Sequence, residues 1–236
     1  MVNPRTNDHG QPIGPAVPDW SPAPFPDVTV MTGRWCRLEP LMLHHGEELF
    51  AELCGPANAP LWTYLAQEMP ADEAEFSDLI EEWAYATDRV TVVVCTPEGR
   101  ACGLFSFLRI DRTNGAVEIG AILFGRRLQR TTAATEALYL AARHIFDLGY
   151  RRYEWKCDAL NGPSVRAAER FGFVREGLFR KAIVTKGRQR DTLWFSITDD
   201  EWPSRRSALE AWLAADNHTE NGQVRRLEDF RLHRSA

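Results

Sequence analysis

The sequence predicts an α/β protein with a mixed, mostly antiparallel central sheet and helices on both faces. Apolar, β-branched segments between residues 90 and 124 are joined by short turns, one containing Asn114-Gly115, and this pattern indicates an antiparallel meander. The apolar spacing then changes to that of helices over 132–148 and 164–171. A strand at 152–157 separates these helices, so β-α crossovers extend the meander into a mixed sheet.

The individual elements follow from apolar spacing and from the residues that interrupt it. Asp72–Thr87 is the clearest helix, since Phe76, Ile80 and Trp83 recur at helical spacing. The predicted strands are Arg34–Glu39, Val90–Cys95, Ala101–Ile110, Ala116–Phe124, Arg152–Cys157, and a hairpin of Phe173–Lys186 and Arg190–Thr198. The predicted helices are Leu43–Cys54, Asp72–Thr87, Thr132–Leu148, Ser164–Phe171 and Ser204–Ala215.

Composition along the chain predicts three regions: a proline-rich arm over 1–32, one domain over 33–203, and a C-terminal helix with a polar tail over 204–236. Prolines lack backbone donors, so the arm is expected to be extended and to pack on the surface through Trp20 and Phe25. The charged residues at the end of the chain predict a loosely held tail.

The bulk composition excludes several classes of function. Twenty-eight basic and 33 acidic side chains give a net charge of −5, which argues against a general nucleic-acid binder. Five cysteines form no CxxC pair and six histidines form no ligand pattern, so reduced cysteines and no metal are expected. The sequence shows neither a secretory leader nor an apolar run long enough to span a bilayer, and a cytoplasmic location is expected.

The stretch over 117–136 predicts an anion site. A buried strand ends at Gly125, a basic loop follows, and a helix opens with small residues. The N-terminus of a helix exposes unpaired amides with partial positive charge, which suits phosphate, and Arg126, Arg127 and Arg130 would add charge. The alternative is an ordinary strand–loop–helix connection.

This stretch resembles the acetyl-CoA signature of the GCN5-related N-acetyltransferase (GNAT) superfamily, Gln/Arg-x-x-Gly-x-Gly/Ala. It is most similar to the branch of the ribosomal-protein serine and alanine acetyltransferases (RimJ/RimL-like). The matching residues are Gln129, Arg130, Thr131, Thr132, Ala133 and Ala134, followed by Thr135, Glu136 and Ala137. Thr132 departs from the signature, which has glycine there. Since threonine does not adopt positive φ cheaply, we expect an ordinary helical conformation at Thr132.

Further motifs occur in the family's order over roughly residues 33–203. They are Asn161-Gly162-Pro163-Ser164, Phe171-Gly172-Phe173, Glu176-Gly177 and the hairpin Lys186–Asp191. The resemblance implies an acyl-CoA N-acyltransferase fold that uses acetyl-CoA as cosubstrate. It implies direct transfer of the acetyl group to a primary amine, either a protein N-terminus or a small molecule. A homodimer is one option for its assembly.

The resemblance also implies residues that bind the coenzyme. Backbone groups of Ile122, Leu123 and Phe124 would hold the pantetheine as an added strand, although all three also suit core packing. The loop from Gln129 to Thr135 would hold the phosphates. Asn161 and Ser164 would face the pantetheine, and the alternative for Asn161 is a turn residue that closes the strand.

Two residues are candidates for catalysis. Glu118 would accept the proton of the amine, and its alternative role is a cross-strand salt bridge, for instance with Arg109. Ser164 would assist the departing thiolate, since Ala168 stands where many family members have tyrosine. The alternative role of Ser164 is a helix N-cap.

The acceptor would be bound by the variable helices and the late hairpin. Trp62, Tyr64 and Arg188 are the candidates, beside Lys186 and Arg190, although aromatic residues also suit a core and charged hairpin tips promote solubility. Two other functions stay open. One is a CoA-binding module with a sensing or scaffold role, and the other is an RNA-directed acetyltransferase, which the acidic balance disfavours.

Overall fold

The structure is a computed structural model that describes residues 5–219 and 222–231. The short strands of the N-terminal arm and the C-terminal segment are β1 (Arg5–Thr6), β2 (Pro12–Ile13), β11 (His218–Thr219) and β12 (Gly222–Gln223). The strands of the central sheet are β3 (Met31–Thr32), β4 (Arg37–Pro40), β5 (Val90–Cys95), β6 (Ala101–Asp111), β7 (Ala116–Phe124), β8 (Arg152–Asp158), β9 (Val174–Thr185) and β10 (Arg188–Thr198). The helices are α1 (Gly46–Leu53), α2 (Glu73–Tyr85), α3 (Thr132–Asp147), α4 (Gly162–Phe171), α5 (Trp202–Leu213) and α6 (Leu227–Arg231).

The central sheet has eight strands in the order β3-β4-β5-β6-β7-β8-β10-β9. Every neighbouring pair is antiparallel except β7 and β8, which run parallel from the pair Ala116 and Arg152 to the pair Ile119 and Trp155. The structure therefore confirms the predicted mixed, mostly antiparallel sheet. Its one parallel pair results from the crossover through α3.

The core lies on both faces of this sheet. Val92 and Val94 of β5 face a large cluster that includes residues of α3 and α4, whereas the alternating Val93 and Cys95 face a smaller cluster with residues of α1 and α2. Period-two alternation along the strands therefore divides the apolar residues between two helical layers. No helix of the described residues is long and apolar enough to cross a lipid bilayer.

The strand predicted at Arg34–Glu39 begins later, since β4 starts at Arg37. Residues 34–36 do not join the ladder, because their backbone N–H groups donate to the buried carboxylate of Glu136 at 2.8, 2.7 and 2.9 Å. The predicted first helix divides into a 3₁₀ turn at Leu43–His45 and α1. The predicted helix at 164 instead begins at Gly162, where the α4 cap and Pro163 start it.

The N-terminal arm packs on the domain as expected through Trp20, whose indole N–H donates to the carbonyl of Thr113 at 2.9 Å. Ala23 and Val28 enter the larger core cluster. The C-terminal tail is held more firmly than predicted, up to the end of the described residues. Leu227 is buried, and the Arg231 guanidinium donates to backbone carbonyls at the end of α4, so composition alone missed two anchors.

Candidate active site

An opening in the sheet lies between β7 and β8. Their parallel pairing ends at Ile119 and Trp155, yet β7 continues to Phe124 and β8 to Asp158. Beyond that point β7 pairs with β6 and β8 pairs with β10. The two strands therefore diverge, and the opening widens toward their carboxyl ends.

A β-bulge in β7 accounts for the divergence. Leu104 pairs with Leu123, but Ser106 pairs with Gly120, so β7 contains one extra residue between these pairs. Ala121 lies in that interval with a φ of 48°, a left-handed conformation that is uncommon for a residue other than glycine. A bulge bends its strand and increases the local twist, which turns the end of β7 away from β8.

Backbone groups of β7 that do not pair with β6 face this opening. The N–H of Gly125 donates to the carbonyl of Cys102 at 3.0 Å, which fixes the phase of the β6–β7 ladder. Since hydrogen-bonded positions alternate, Leu123 directs its backbone groups to β6, whereas Ile122 and Phe124 direct theirs to the open side. Of the three residues predicted to hold the pantetheine, two therefore offer backbone groups and Leu123 packs in the core.

The N-terminus of α3 lies just after the end of β7. Thr131 caps it, because its hydroxyl oxygen accepts from the N–H of Ala134 at 3.1 Å and its hydroxyl donates to the carbonyl of Leu128 at 2.6 Å. Thr132 is the first residue of the helix and has the ordinary helical conformation that the sequence predicts. The N–H groups of Thr132 and Ala133 have no intrahelical acceptor and suit an anion.

Two of the three loop arginines have partners within the protein. Arg126 donates to the carbonyl of Ala57, and Arg127 pairs with the buried carboxylate of Glu52 at 2.6 Å. Both contacts fasten the loop to α1 and the segment after it. Arg130 is exposed and has no partner among the described residues, so it is the arginine that remains for a phosphate. Its φ of 62° shows that the left-handed residue of this loop is Arg130, not Thr132.

Two more residues of the predicted phosphate loop are paired within the protein. The Gln129 amide donates to the carbonyl of Phe124 at 2.8 Å, so a pantetheine that uses this carbonyl must displace Gln129. The buried hydroxyl of Thr135 accepts from the Arg170 guanidinium at 3.1 Å. The Thr135 side chain therefore links α3 to α4 and is not free to contact a ligand.

The turn after β8 places Asn161 and Ser164 at the start of α4. Asn161 is the N-cap, since its side-chain oxygen accepts from the N–H of Ser164 at 3.1 Å. The Ser164 hydroxyl oxygen instead accepts from the indole N–H of Trp155 at 2.9 Å. Burial raises the pKa of the Cys157 thiol, and a hydrogen bond with Ser164 opposes that rise. The capping role considered for Ser164 thus belongs to Asn161.

Glu118 lies one residue before the point where β7 and β8 separate. Its carboxylate is buried and lies 3.0 Å from the ammonium of Lys156 and 3.2 Å from the guanidinium of Arg109. Burial raises the pKa of Glu118, and the two cations lower it in part. The salt bridge with Arg109 considered from the sequence is present, and it is compatible with a role as base.

Sequence reasoning missed Lys156, Glu154 and Trp194. Lys156 also lies 2.7 Å from the carboxylate of Glu154 and 3.8 Å from the centre of the Trp194 ring. Burial opposes ionisation of Glu154, but hydrogen bonds from Lys156 and Arg152 outweigh it and lower its pKa. The alternation of Trp155 and Cys157 with Lys156 indicates that Lys156 faces away from the larger core cluster, but it does not reveal these partners.

The three predicted acceptor residues have different positions. Trp62 is buried in the smaller core cluster, and its indole N–H donates to the carbonyl of Leu53 at 2.8 Å, so it packs in the core. The Tyr64 hydroxyl donates to the carbonyl of Leu160 at 3.1 Å, beside the Asn161 turn. Arg188 is exposed at the hairpin tip.

The hairpin itself is fastened to the α1–α2 connection. The Lys186 ammonium donates to the carbonyl of Trp62 at 2.7 Å and lies 3.2 Å from the carboxylate of Glu68. Lys186 is therefore a structural contact and not a free cation for the acceptor. Together with Tyr64, it connects the segment between α1 and α2 to both the hairpin and the turn after β8.

One group of described side chains could hold a metal ion: Glu39, His45 and Cys95 have ligand atoms within 4.8 Å of one another. Nδ1 of His45 accepts from the N–H of Met42 at 3.1 Å, which leaves the proton of a neutral ring on Nε2. Nε2 faces Glu39 at 3.7 Å. This tautomer does not present a free nitrogen lone pair to a metal.

The sheet separates between two parallel strands, and a capped helix N-terminus lies beside this opening. Such an arrangement suits a cosubstrate that is extended and carries phosphate groups. A family model described as an acetyltransferase (GNAT) domain matches residues 36–174. The chain belongs to this family, as its resemblance to the GCN5-related N-acetyltransferases predicts.

Known proteins agree with this assignment. The crystal structure of a GCN5-related N-acetyltransferase from Brucella melitensis has 44% identity and a TM-score of 0.88, covering 91% of this chain and 99% of its own. An uncharacterized prophage-derived N-acetyltransferase of Bacillus subtilis is 28% identical over 116 residues. The matched region is 49% of this chain and 65% of the relative's length. An acetyltransferase from Salmonella typhimurium that modifies the N-terminal serine of ribosomal protein L7/L12 has 20% identity and a TM-score of 0.61, covering 70% of this chain and 96% of its own. That likeness shows the fold alone.

Proposed function

We propose that this protein transfers an acetyl group from acetyl-CoA to a primary amine in a ternary complex. The observation that carries the proposal is the opening between β7 and β8, with the buried Glu118 where the strands separate and the start of α3 after the end of β7. Glu118 supplies a carboxylate that can accept the proton of an amine, and the start of α3 supplies donors that can hold a phosphate.

The residues around the opening suit the coenzyme. Ile122 and Phe124 offer backbone groups for the amides of the pantetheine. The amides of Thr132 and Ala133 and the free Arg130 guanidinium offer donors and charge to the phosphates. Acetyl-CoA supplies an activated acyl carbonyl and a thiolate leaving group.

Glu118 and Ser164 have separate tasks in the proposed reaction. The amine nitrogen forms a bond to the acetyl carbon as the carbon–sulfur bond breaks. Glu118 accepts the proton that the amine loses, directly or through one water. The Ser164 hydroxyl, held by the Trp155 indole, donates a hydrogen bond to the departing thiolate. The thiolate then takes a proton from water, and Glu118 returns the amine proton to water. Burial raises the pKa of Glu118 above that of a free carboxyl group, which makes its carboxylate a stronger base.

The acceptor in this proposal is a protein N-terminal α-amine or a small-molecule amine, in keeping with the RimJ/RimL-like resemblance. Our candidates to contact it are Tyr64, which lies beside the Asn161 turn, and the exposed Arg188 on the hairpin. We also propose a cytoplasmic location and a homodimer. All five cysteines are unpaired and buried, which suits a reducing compartment.

The alternative is a CoA-binding module without turnover, and the buried Ala168 in place of a tyrosine favours it. The test is release of free CoA thiol from acetyl-CoA across a panel of amines and N-terminal peptides, beside calorimetric titration with CoA. Turnover with any acceptor supports the transferase. Tight CoA binding without turnover on the entire panel would overturn it in favour of the module.

A further inference from the structure

Lys156 is a buried cation at the point where β7 and β8 separate. It is the first residue of β8 beyond the last parallel pair, and its side chain is only 5% exposed. Its ammonium lies between the carboxylates of Glu118 and Glu154, at 3.0 and 2.7 Å, and against the ring of Trp194. Burying an ammonium is costly unless it is fully paired, so this placement calls for an explanation.

The contacts of Lys156 belong to a chain of alternating charges across the sheet. Arg109 of β6 contacts Glu118 of β7, which contacts Lys156 of β8. On its other side Lys156 contacts Glu154, whose second partner is Arg152 at 2.6 Å. Lys156 is the residue that connects the candidate base Glu118 to the other charged residues of β8.

Lys156 and Arg109 do not contribute equally to Glu118. The Arg109 side chain is 64% exposed, so water and salt screen its charge, whereas Lys156 is buried and its charge is screened far less. A buried carboxylate without a close cation stays protonated to higher pH and cannot accept a proton. Lys156 is therefore the cation that most favours the ionised form of Glu118, at the cost of its own burial.

Lysine suits this position better than arginine. Among the 28 basic side chains only Lys156, Lys181 and Lys186 are lysines, so an arginine-rich chain has a lysine here. Lysine is a compact point charge that can sit between two carboxylates and above an indole ring, whereas the planar guanidinium is larger and directional.

We infer that Lys156 is a positioning residue that holds Glu118 as an oriented anion, ready to accept the proton of the amine. The inference rests on the proposed function, since it assigns Lys156 a part in the same site. Lys156 acts through Glu118 and does not itself touch the reacting atoms.

The test is the pH dependence of kcat/KM in Lys156→Met, with Lys181→Met as a control that removes an exposed lysine of β9. Activity requires ionised Glu118, so it falls as pH decreases through the pKa of that group. Removing Lys156 raises this pKa, and the acid limb should move up by about one pH unit or more. The high-pH plateau should recover toward wild type, and Lys181→Met should leave the limb in place.

Glu154→Gln should shift the acid limb of the pH profile in the opposite direction. Three charged groups face Glu118: Arg109 from β6, and Lys156 and Glu154 from β8. Replacing Glu154 removes the negative neighbour and frees Lys156 for Glu118. The acid limb should then move to lower pH, and this variant keeps the test decisive if Lys156→Met does not fold.

The outcomes separate the inference from the proposed function. The role of Lys156 is overturned if kcat/KM of Lys156→Met falls equally at every pH, or if the acid limb stays in place in both variants. Either result leaves acetyl transfer intact. Failure of the wild-type enzyme to acetylate any amine overturns the proposed function itself. Glu118→Gln should lack the acid limb, and a limb that persists there shows that another group titrates.

Discussion

The two sides of the opening are built from different chemical groups. The side proposed for the coenzyme consists of backbone groups: those of Ile122 and Phe124 that point away from β6, and the amides at the start of α3. The side proposed for the acceptor consists of side-chain charges, with the buried Glu118 held by the buried Lys156 and the exposed Arg109. Backbone groups are present whatever the side chain, so the first side should tolerate substitution, whereas the second depends on each ionised group and its partners.

Glu118→Gln should have the largest effect and tests the side built from charges. The amide keeps the shape of the side chain but cannot accept a proton, so kcat should fall by ~10²–10⁴-fold. The affinity for CoA should stay unchanged, because the coenzyme is held on the backbone side. The measurements are steady-state rates and calorimetric titration with CoA. A rate within a fewfold of wild type would remove Glu118 as the base.

Ser164→Ala should have a smaller effect on turnover. Loss of one hydrogen bond to the departing sulfur should lower kcat by about two- to tenfold, since a hydrogen bond contributes roughly 0.5–1.5 kcal/mol. The substitution also removes the acceptor of the Trp155 indole N–H, so the free energy of unfolding should fall. Thermal unfolding measured beside kcat separates the two effects. A loss of stability without a loss of kcat would assign Ser164 to structure alone.

Thr131→Ala tests how far the coenzyme side depends on one side chain. Thr131 caps α3 and orders the amides that are proposed to bind a phosphate. Removing an N-cap costs ~1 kcal/mol, which should lower the free energy of unfolding by that amount and weaken CoA binding severalfold. Chemical denaturation and calorimetry measure the two quantities. Thr131→Ser restores the hydroxyl and is the matched control, which should behave like wild type.

The sequence predicted the elements at the end of β7 better than the charged contacts around Glu118, for a physical reason. Strand ends, helix starts and caps follow from local spacing, so the positions of β7, the loop and α3 could be read from the chain. The opening itself depends on a bulge at Ala121, and alanine carries no signal for a left-handed conformation. The ion pairs of Lys156 join residues far apart in sequence, and they depend on strand register, which spacing alone does not determine.

The fold, too, was predicted where it follows local spacing and missed where contacts join residues distant in sequence. The order of the elements was predicted, but the anchors of the C-terminal tail were not. Leu227 is a single apolar residue in a charged segment, and Arg231 acts on carbonyls of α4 that are distant in sequence. Burial of one side chain in a polar segment leaves no periodic pattern. Such contacts therefore escape any argument from composition.

Thr132→Gly should have the smallest effect and is the sharpest check on a backbone-built site. It restores the glycine of the family signature at the first residue of α3. Thr132 is already helical and the left-handed residue is Arg130, so glycine has no strain to relieve. Threonine and glycine differ in helix propensity by only a few tenths of a kcal/mol, so the Kd for CoA should change by less than about twofold. The Thr132 hydroxyl lies 3.5 Å from Nδ1 of His218, a long contact whose loss should matter little. A much tighter Kd in the glycine variant would show that the threonine side chain obstructs the phosphates, and that this side of the opening depends on side chains after all.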